Sequence, residues 1–190
     1  MTEQLTLSAV PRPAGVKRGG AKTVRAGQIP GVVYGPAVAP FPVAVEPKDL
    51  SAVLATPHGA NAVFHLDVEG VRHLCMVKDS QIDVVKRNVT HLDFYVVDPE
   101  QAIVVDVPVQ PEGKSAGEKL GGLLQVVSRT VRVRCKVKDI PVAVTHDVSD
   151  VGLGDQVSIE QFTAPENTEF VFKHRFPVIR IAARRGGKKA

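Results

Sequence analysis

Five cationic side chains, Arg12, Lys17, Arg18, Lys22 and Arg25, fall between positions 12 and 25, with Gly15, Gly19, Gly20 and Gly27 spaced among them. Glycine lets backbone pass close to a phosphate surface, and the interspersed cations neutralise it. Arginine suits planar, bidentate contacts, whereas lysine acts as a point charge. The chemistry open to such a segment is to grip a polyanion. Taken alone the signal is unspecific, because basic glycine-containing termini are common.

A second constellation is His91-Leu92-Asp93-Phe94. Strand alternation would turn Leu92 and Phe94 inward and leave His91 and Asp93 together on the opposite face. There the carboxylate can accept from base amino groups or orient a neighbouring His or Arg. The rival use is a catalytic His-Asp dyad of a hydrolase. It lacks an evident nucleophile, and residues i and i+2 of one strand need not hydrogen-bond each other. Tyr34, ending a short apolar run, is by default a half-buried ring with its hydroxyl at the surface.

Other chemistry is thin. Gly113 to Gly122 is glycine-rich but has neither the Walker spacing nor a following helix pattern, so it reads as a turn-rich loop. Cys75 and Cys135 lie in alternating valine-rich runs, as small buried hydrophobes do. The six histidines (58, 65, 73, 91, 146 and 174) show no metal-site spacing. No cofactor, metal or small-molecule substrate is expected.

The elements that must carry these residues are short. The chain has 190 residues, 44% hydrophobic, 5% aromatic, without Trp and with fourteen prolines. That composition favours short strands and turns over long helices, with cores of Val, Leu, Ile and Ala. No apolar run approaches the ~20 residues of a membrane span. The first residues lack a signal-peptide pattern, so a cytoplasmic protein is expected. The net charge of +4 is unevenly spread. Residues 1–35 carry five cations against Glu3 alone, 96–183 carry ten basic and twelve acidic side chains, and the tail from Arg184 adds four cations. Positive charge at both ends of a near-neutral body points to a polyanionic partner.

Periodicity places strands at 4–10, 31–34 and 42–46, a helical turn at 21–26, and a helix starting at Pro47 and ending near Pro57. A hairpin, 62–68 and 71–78, turns at Glu69-Gly70, and 89–96 is the next strand. Turn residues at 97–101 suggest a boundary. Beyond it, strands are expected at 102–109, 130–138, 142–145, 156–159, 170–173 and 178–182. In 130–138, Val131, Val133, Cys135 and Val137 alternate with Arg132, Arg134, Lys136 and Lys138, giving one apolar and one cationic face. The fold class expected is mainly β with a few short helices (α+β). A small barrel-like domain (1–97) would precede an all-β domain (98–183) and a basic tail (184–190).

The opening runs into Gly27-Gln28-Ile29-Pro30-Gly31-Val32-Val33-Tyr34-Gly35, and together with His91-Leu92-Asp93-Phe94 this resembles a known family. It is that of the bacterial large-subunit ribosomal proteins that bind 5S ribosomal RNA, L twenty-five, called general stress protein CTC in its longer form. Arg12, Lys17, Lys22 and Arg25 stand where the family has its basic residues. Val16, Arg18 and Thr23 depart from the usual Gly, Gly and Leu. In the second half Val107-Pro108-Val109, Leu120-Gly121-Gly122, Asp139-Ile140-Pro141, Asp147-Val148-Ser149 and Leu153-Gly154-Asp155 follow the long form's order.

The resemblance implies a structural ribosomal protein, not an enzyme, whose first domain binds the loop E region of 5S rRNA. It implies RNA contacts from Arg12, Lys17, Lys22, Arg25, Tyr34, Gln81, Lys86, His91 and Asp93. In the second domain the cationic face of Arg132, Arg134, Lys136 and Lys138 could touch 23S rRNA or neighbouring large-subunit proteins, or be a solvated strand face. The acidic surplus nearby favours a protein contact over a second tight RNA site. The CTC kinship also admits a stress-induced RNA-binding protein that joins the ribosome only transiently.

Overall fold

A computed structural model describes residues 5–12, 19–36, 38–85 and 88–183, and the chain divides into two compact units, 1–101 and 102–190. In the first unit, strands β1 (Thr6–Pro11), β2 (Ile29–Gly35), β3 (Val38–Val45), β4 (Val63–Val68), β5 (Val71–Asp83) and β6 (Asn88–Val96) form a closed barrel. Its order is β1-β3-β2-β6-β5-β4, and the barrel closes where β1 pairs with β4 in parallel. Closure removes the open edges that short strands would otherwise expose.

Alternation fills the interior. Leu7, Val33, Val43, Leu66, Cys75 and Phe94 are fully buried, and Phe64 and Phe94 meet edge to face with ring centroids 6.1 Å apart. With aromatics scarce, that pair supplies the bulk that valines cannot. Burial pushes the Cys75 thiol up to about 12, which keeps it neutral and unreactive. Helix α1 (Gly19–Arg25) precedes β2, and α2 (Pro47–Leu54) follows β3, with Pro47 in its first turn and Leu50 and Val53 buried. A 3-10 turn, Gly59–Asn61, leads into β4. At the β4–β5 turn Glu69 and Gly70 both have positive φ, 52° and 87°, as a two-residue hairpin matching strand twist requires.

The barrel depends on a parallel pair distant in sequence. Strand β2 runs alongside β6, with Gly31 opposite Leu92 and Tyr34 opposite Tyr95. A Cβ on Gly31 would lie 2.8 Å from the Leu92 carbonyl oxygen and 2.9 Å from the Phe94 ring. Gly31 is therefore a packing requirement, and Gly31→Ala should cost about 1–3 kcal/mol by overpacking. Urea unfolding measures this as a lower midpoint at unchanged slope. An unchanged midpoint would mean that β2 and β6 separate freely.

The second unit has two sheets. One is ordered β10-β7-β9-β12 and the other β11-β13-β8. The strands are β7 (Ala102–Glu112), β8 (Leu123–Val126), β9 (Thr130–Lys136), β10 (Val144–Asp147), β11 (Gln156–Ser158), β12 (Glu169–Phe170) and β13 (Pro177–Ala182). Val105, Val107, Val131, Val133 and Cys135 point inward from the β7–β9 pair. The 113–122 loop holds a single short helix, α3 (Ala116–Lys119). Ser115 caps it by accepting from the Glu118 N–H at 3.1 Å, while the Glu118 carboxylate accepts from the Ser115 N–H at 3.1 Å.

Local expectations change in several places. The strand placed at 130–138 ends at Lys136, where a 3-10 turn, Val137–Asp139, takes over, and the strand placed at 142–145 is Val144–Asp147. The strand placed at 170–173 is Glu169–Phe170 only. Its ladder with β9 stops once the Val171 N–H has donated to the Arg132 carbonyl, and the chain then bends towards β13. Strand β8 was not anticipated, because Leu123-Leu124-Gln125-Val126 is too short to show a period of its own.

Candidate nucleic-acid interface

Strand β6 buries Leu92 and Phe94 and turns His91, Asp93 and Tyr95 outward. Its two neighbours set what lies beside them. From β2, Val32 is level with Asp93 and Tyr34 with Tyr95. From β5, Asp79 is level with Asp93 and Gln81 with His91. This second alignment depends on a register shift between Val77 and Asp79. A bulge there accommodates Lys78 and leaves Val77 packed against the core, while Asp79 comes to the outer row. Four residues expected to contact RNA, Tyr34, Gln81, His91 and Asp93, thus share one outer face of three adjacent strands.

Within that face the side chains hold one another. His91 Nδ1 lies 2.9 Å from Asp93 Oδ1. This contact orients the imidazole and leaves Nε2 to meet a ligand. The Tyr34 and Tyr95 rings meet edge to face with centroids 5.6 Å apart. Tyr95 in turn accepts from the Gln101 side-chain amide at 3.3 Å. The Tyr34 hydroxyl is held above its ordinary pKa by burial first, then by the Asp93 charge, Tyr95 and Asp79. It is therefore a dependable proton donor at neutral pH, beside two carboxylates that accept.

His91 and Asp93 do pair, which their i, i+2 spacing did not require. The pairing does not create a catalytic site. Ser80, the hydroxyl nearest in sequence on β5, is in register with Leu92 and so one step out of the His91–Asp93 row. The arrangement is a donor and acceptor array on a barrel wall. Among the described residues no group of three His, Cys, Asp or Glu side chains could hold a metal ion.

The basic opening is described in part. Lys17 and Lys86 lie outside the described residues, and Lys22 belongs to α1. Thr23, where the resemblance has a Leu, is buried. The helix ends as Gly27, at φ 80°, lets the Gly27 and Gln28 N–H groups donate back to Val24 and Thr23. Arg25, in the last turn, is exposed. Arg12 has a second role. Its Nε donates to the Val43 carbonyl at 2.7 Å and an Nη to the Gly31 carbonyl at 3.3 Å, so it ties the end of β1 to β3 and β2.

The cationic face expected on β9 is a mixed-charge one. Arg132 faces Asp106 of β7 at 3.6 Å, and Arg134 faces Glu169 of β12 at 3.8 Å. The acids come from strands whose pairing the local pattern could not announce. Asp79 and Tyr95 are the members of the barrel face that sequence reasoning did not select. Alternation from Asp93 could have found Tyr95; Asp79 needed the bulge.

Comparison with known proteins covers both units. A family model described as the Ribosomal L25p family matches residues 7–94, and one described as Ribosomal protein TL5, C-terminal domain, matches residues 102–185. The chain is 37% identical over 166 residues to the large ribosomal subunit protein bL25 of Halothermothrix orenii, covering 85% of this chain and 74% of that one. It is 37% identical over 161 residues to the protein of the same name from Desulfatibacillum aliphaticivorans, covering 84% and 74%. The corresponding protein of Azorhizobium caulinodans is 31% identical over 192 residues, covering 100% of this chain and 93% of its own.

Proposed function

This chain belongs to the bL25 family of large ribosomal subunit proteins, and from that premise we propose that its N-terminal unit binds 5S ribosomal RNA at the loop E region. The protein is a structural component of the large subunit and not an enzyme, with a ribosomal and hence cytoplasmic place in bacteria. The observation that carries the RNA reading is the convergence of Tyr34, Gln81, His91 and Asp93 on the outer face of β2, β6 and β5.

Helical RNA presents a wide, shallow minor groove, and the non-Watson–Crick pairs of an internal loop change its shape and its base edges. The Tyr34 hydroxyl and the Gln81 amide donate to groove acceptors and ribose hydroxyls, while His91 Nε2, with Nδ1–H turned to Asp93, accepts from a ribose hydroxyl or a base amino group. Asp93 and Asp79 accept from exocyclic amino groups. Two carboxylates facing a polyanion also penalise any helix that cannot satisfy them, which favours specificity over bulk affinity. Lys17, Lys22, Arg25 and Lys86 meet the flanking phosphates, and the donors of Arg12 not used on Val43 and Gly31 join them. In this reading residues 1–97 make the 5S contact. Residues 98–183 reach 23S rRNA or neighbouring large-subunit proteins, and 184–190 form a basic tail.

The test is titration of the full chain with 5S rRNA and with a 5S rRNA lacking the internal loop. Binding that requires the loop supports the reading; equal affinity for both RNAs defeats it. Tyr34→Ala and His91→Ala should each cost about 1–3 kcal/mol of binding, roughly 5- to 150-fold, with little change in thermal unfolding. Unchanged affinity in a folded variant would remove that residue from the interface.

A further inference from the structure

The second unit has an open cleft of about 510 Å3 between the start of β9 and the segment that follows β12. Arg132 and Asp106 form one side; Phe172, Lys173, His174 and Phe176 form the other. Phe172 is 41% exposed, an unusual position for a phenylalanine in a chain with so few aromatics. Arg175, between these residues, points elsewhere: its Nε donates to Glu160 at 2.7 Å and pins the segment. The carboxylate in the cleft, Asp106, faces Arg132 at 3.6 Å. Lys173 and His174 add basic groups beside the open ring.

We propose that this cleft is a second RNA site, which takes an unpaired nucleotide with its base stacked on Phe172 and its phosphates against Lys173, His174 and Arg132. Each part of the cleft suits one part of that ligand. A ring face open to solvent stacks any base, and clustered cations track the backbone. Asp106 accepts from a ribose hydroxyl or a base amino group while it holds Arg132. An acidic peptide would use the cations and leave the ring unused. A purely apolar ligand would meet three basic groups that it could not satisfy. This cleft shares no residue with the face on β2, β6 and β5.

The experiment is a titration of the full chain with decauridylate, followed through the backbone amide resonances of residues 128–132 and 171–176. Decaglutamate is the comparison probe. Those resonances should shift saturably with decauridylate. Phe172→Ala should weaken the affinity read there about 5- to 100-fold, while Phe172→Trp, which keeps a stacking face, retains it. The proposal is overturned if the resonances stay still, if Phe172→Ala leaves the affinity unchanged, or if Trp fails to replace Phe. Equal or tighter binding of decaglutamate would also overturn it, in favour of an acidic protein partner. Loss of binding at β2, β6 and β5 would leave these signals unaffected, so failure of the 5S reading is distinguishable from failure here.

Discussion

Raising monovalent salt from 50 to 200 mM should weaken the complex of this protein with 5S ribosomal RNA by about two orders of magnitude. The magnitude follows from counterion release. Each phosphate neutralised by Lys or Arg contributes about −0.9 to the slope of log affinity against log salt on a duplex. Lys17, Lys22, Arg25 and Lys86 are four candidates for such contacts. Arg12, with two of its N–H groups already donating to the Val43 and Gly31 carbonyls, adds at most a fifth contact and a slope of about −4.5. Four contacts give a slope of about −3.6, and a fourfold rise in salt then costs roughly 150-fold. Filter binding across the salt series measures the slope directly. A slope near zero would show that the basic opening is not the grip, whatever the outer face of the barrel contributes.

Phe94→Ala should destabilise the N-terminal unit by about 3–5 kcal/mol, through lost burial and the cavity left behind. Phe94 is fully buried, stacks edge to face on Phe64, and fills the space that Gly31 leaves open across β2. A loss of that size is a large share of the roughly 5–15 kcal/mol typical of a domain. His91, three residues earlier on the same strand, faces outward and is half-buried, so His91→Ala should change stability by less than about 1 kcal/mol while weakening RNA binding. Urea unfolding of both variants, paired with RNA titration, separates the roles. A small loss for Phe94→Ala would mean that the barrel repacks around the hole. A large stability loss for His91→Ala would make its contact with Asp93 structural and weaken the case for RNA contact.

Much of this architecture was legible in local pattern. Alternation in His91-Leu92-Asp93-Phe94 sorted the interior from the exterior of β6 because side chains on a strand repeat every two residues. Glu69-Gly70 marked a hairpin, because a tight turn needs positive φ where Gly is cheapest. Pro47 announced the start of α2 for the same kind of local reason. The mainly β fold and the large-subunit family followed from such signals together with the motif Ile29 to Gly35.

Other features were not legible, and each depended on a partner distant in the chain. The Lys78 bulge brings Asp79 level with Asp93, and nothing in Val77-Lys78-Asp79 marks where the register shifts. The tie from Arg12 to the Val43 and Gly31 carbonyls, which β3 and β2 bring under it, has no mark in the residues around Arg12. The cations of β9 looked like a bare positive face until Asp106 and Glu169 arrived from β7 and β12. The segment 171–173 looked like strand, yet its ladder ends at Val171, and the exposed Phe172 that results forms one wall of a cleft.

By itself the amino-acid sequence determined which residues are apolar, where the chain must turn, and how each strand divides its side chains between two faces. Those are nearest-neighbour properties, set by backbone sterics and a fixed side-chain period. Only the tertiary structure decided which faces stand side by side. The parallel pairing of β2 with β6 places Tyr34 beside Tyr95 and Asp93, and the register shift in β5 adds Gln81 and Asp79. Register between distant strands is settled by the packing of the whole core, around Gly31 and Phe94 here, and no local period encodes it.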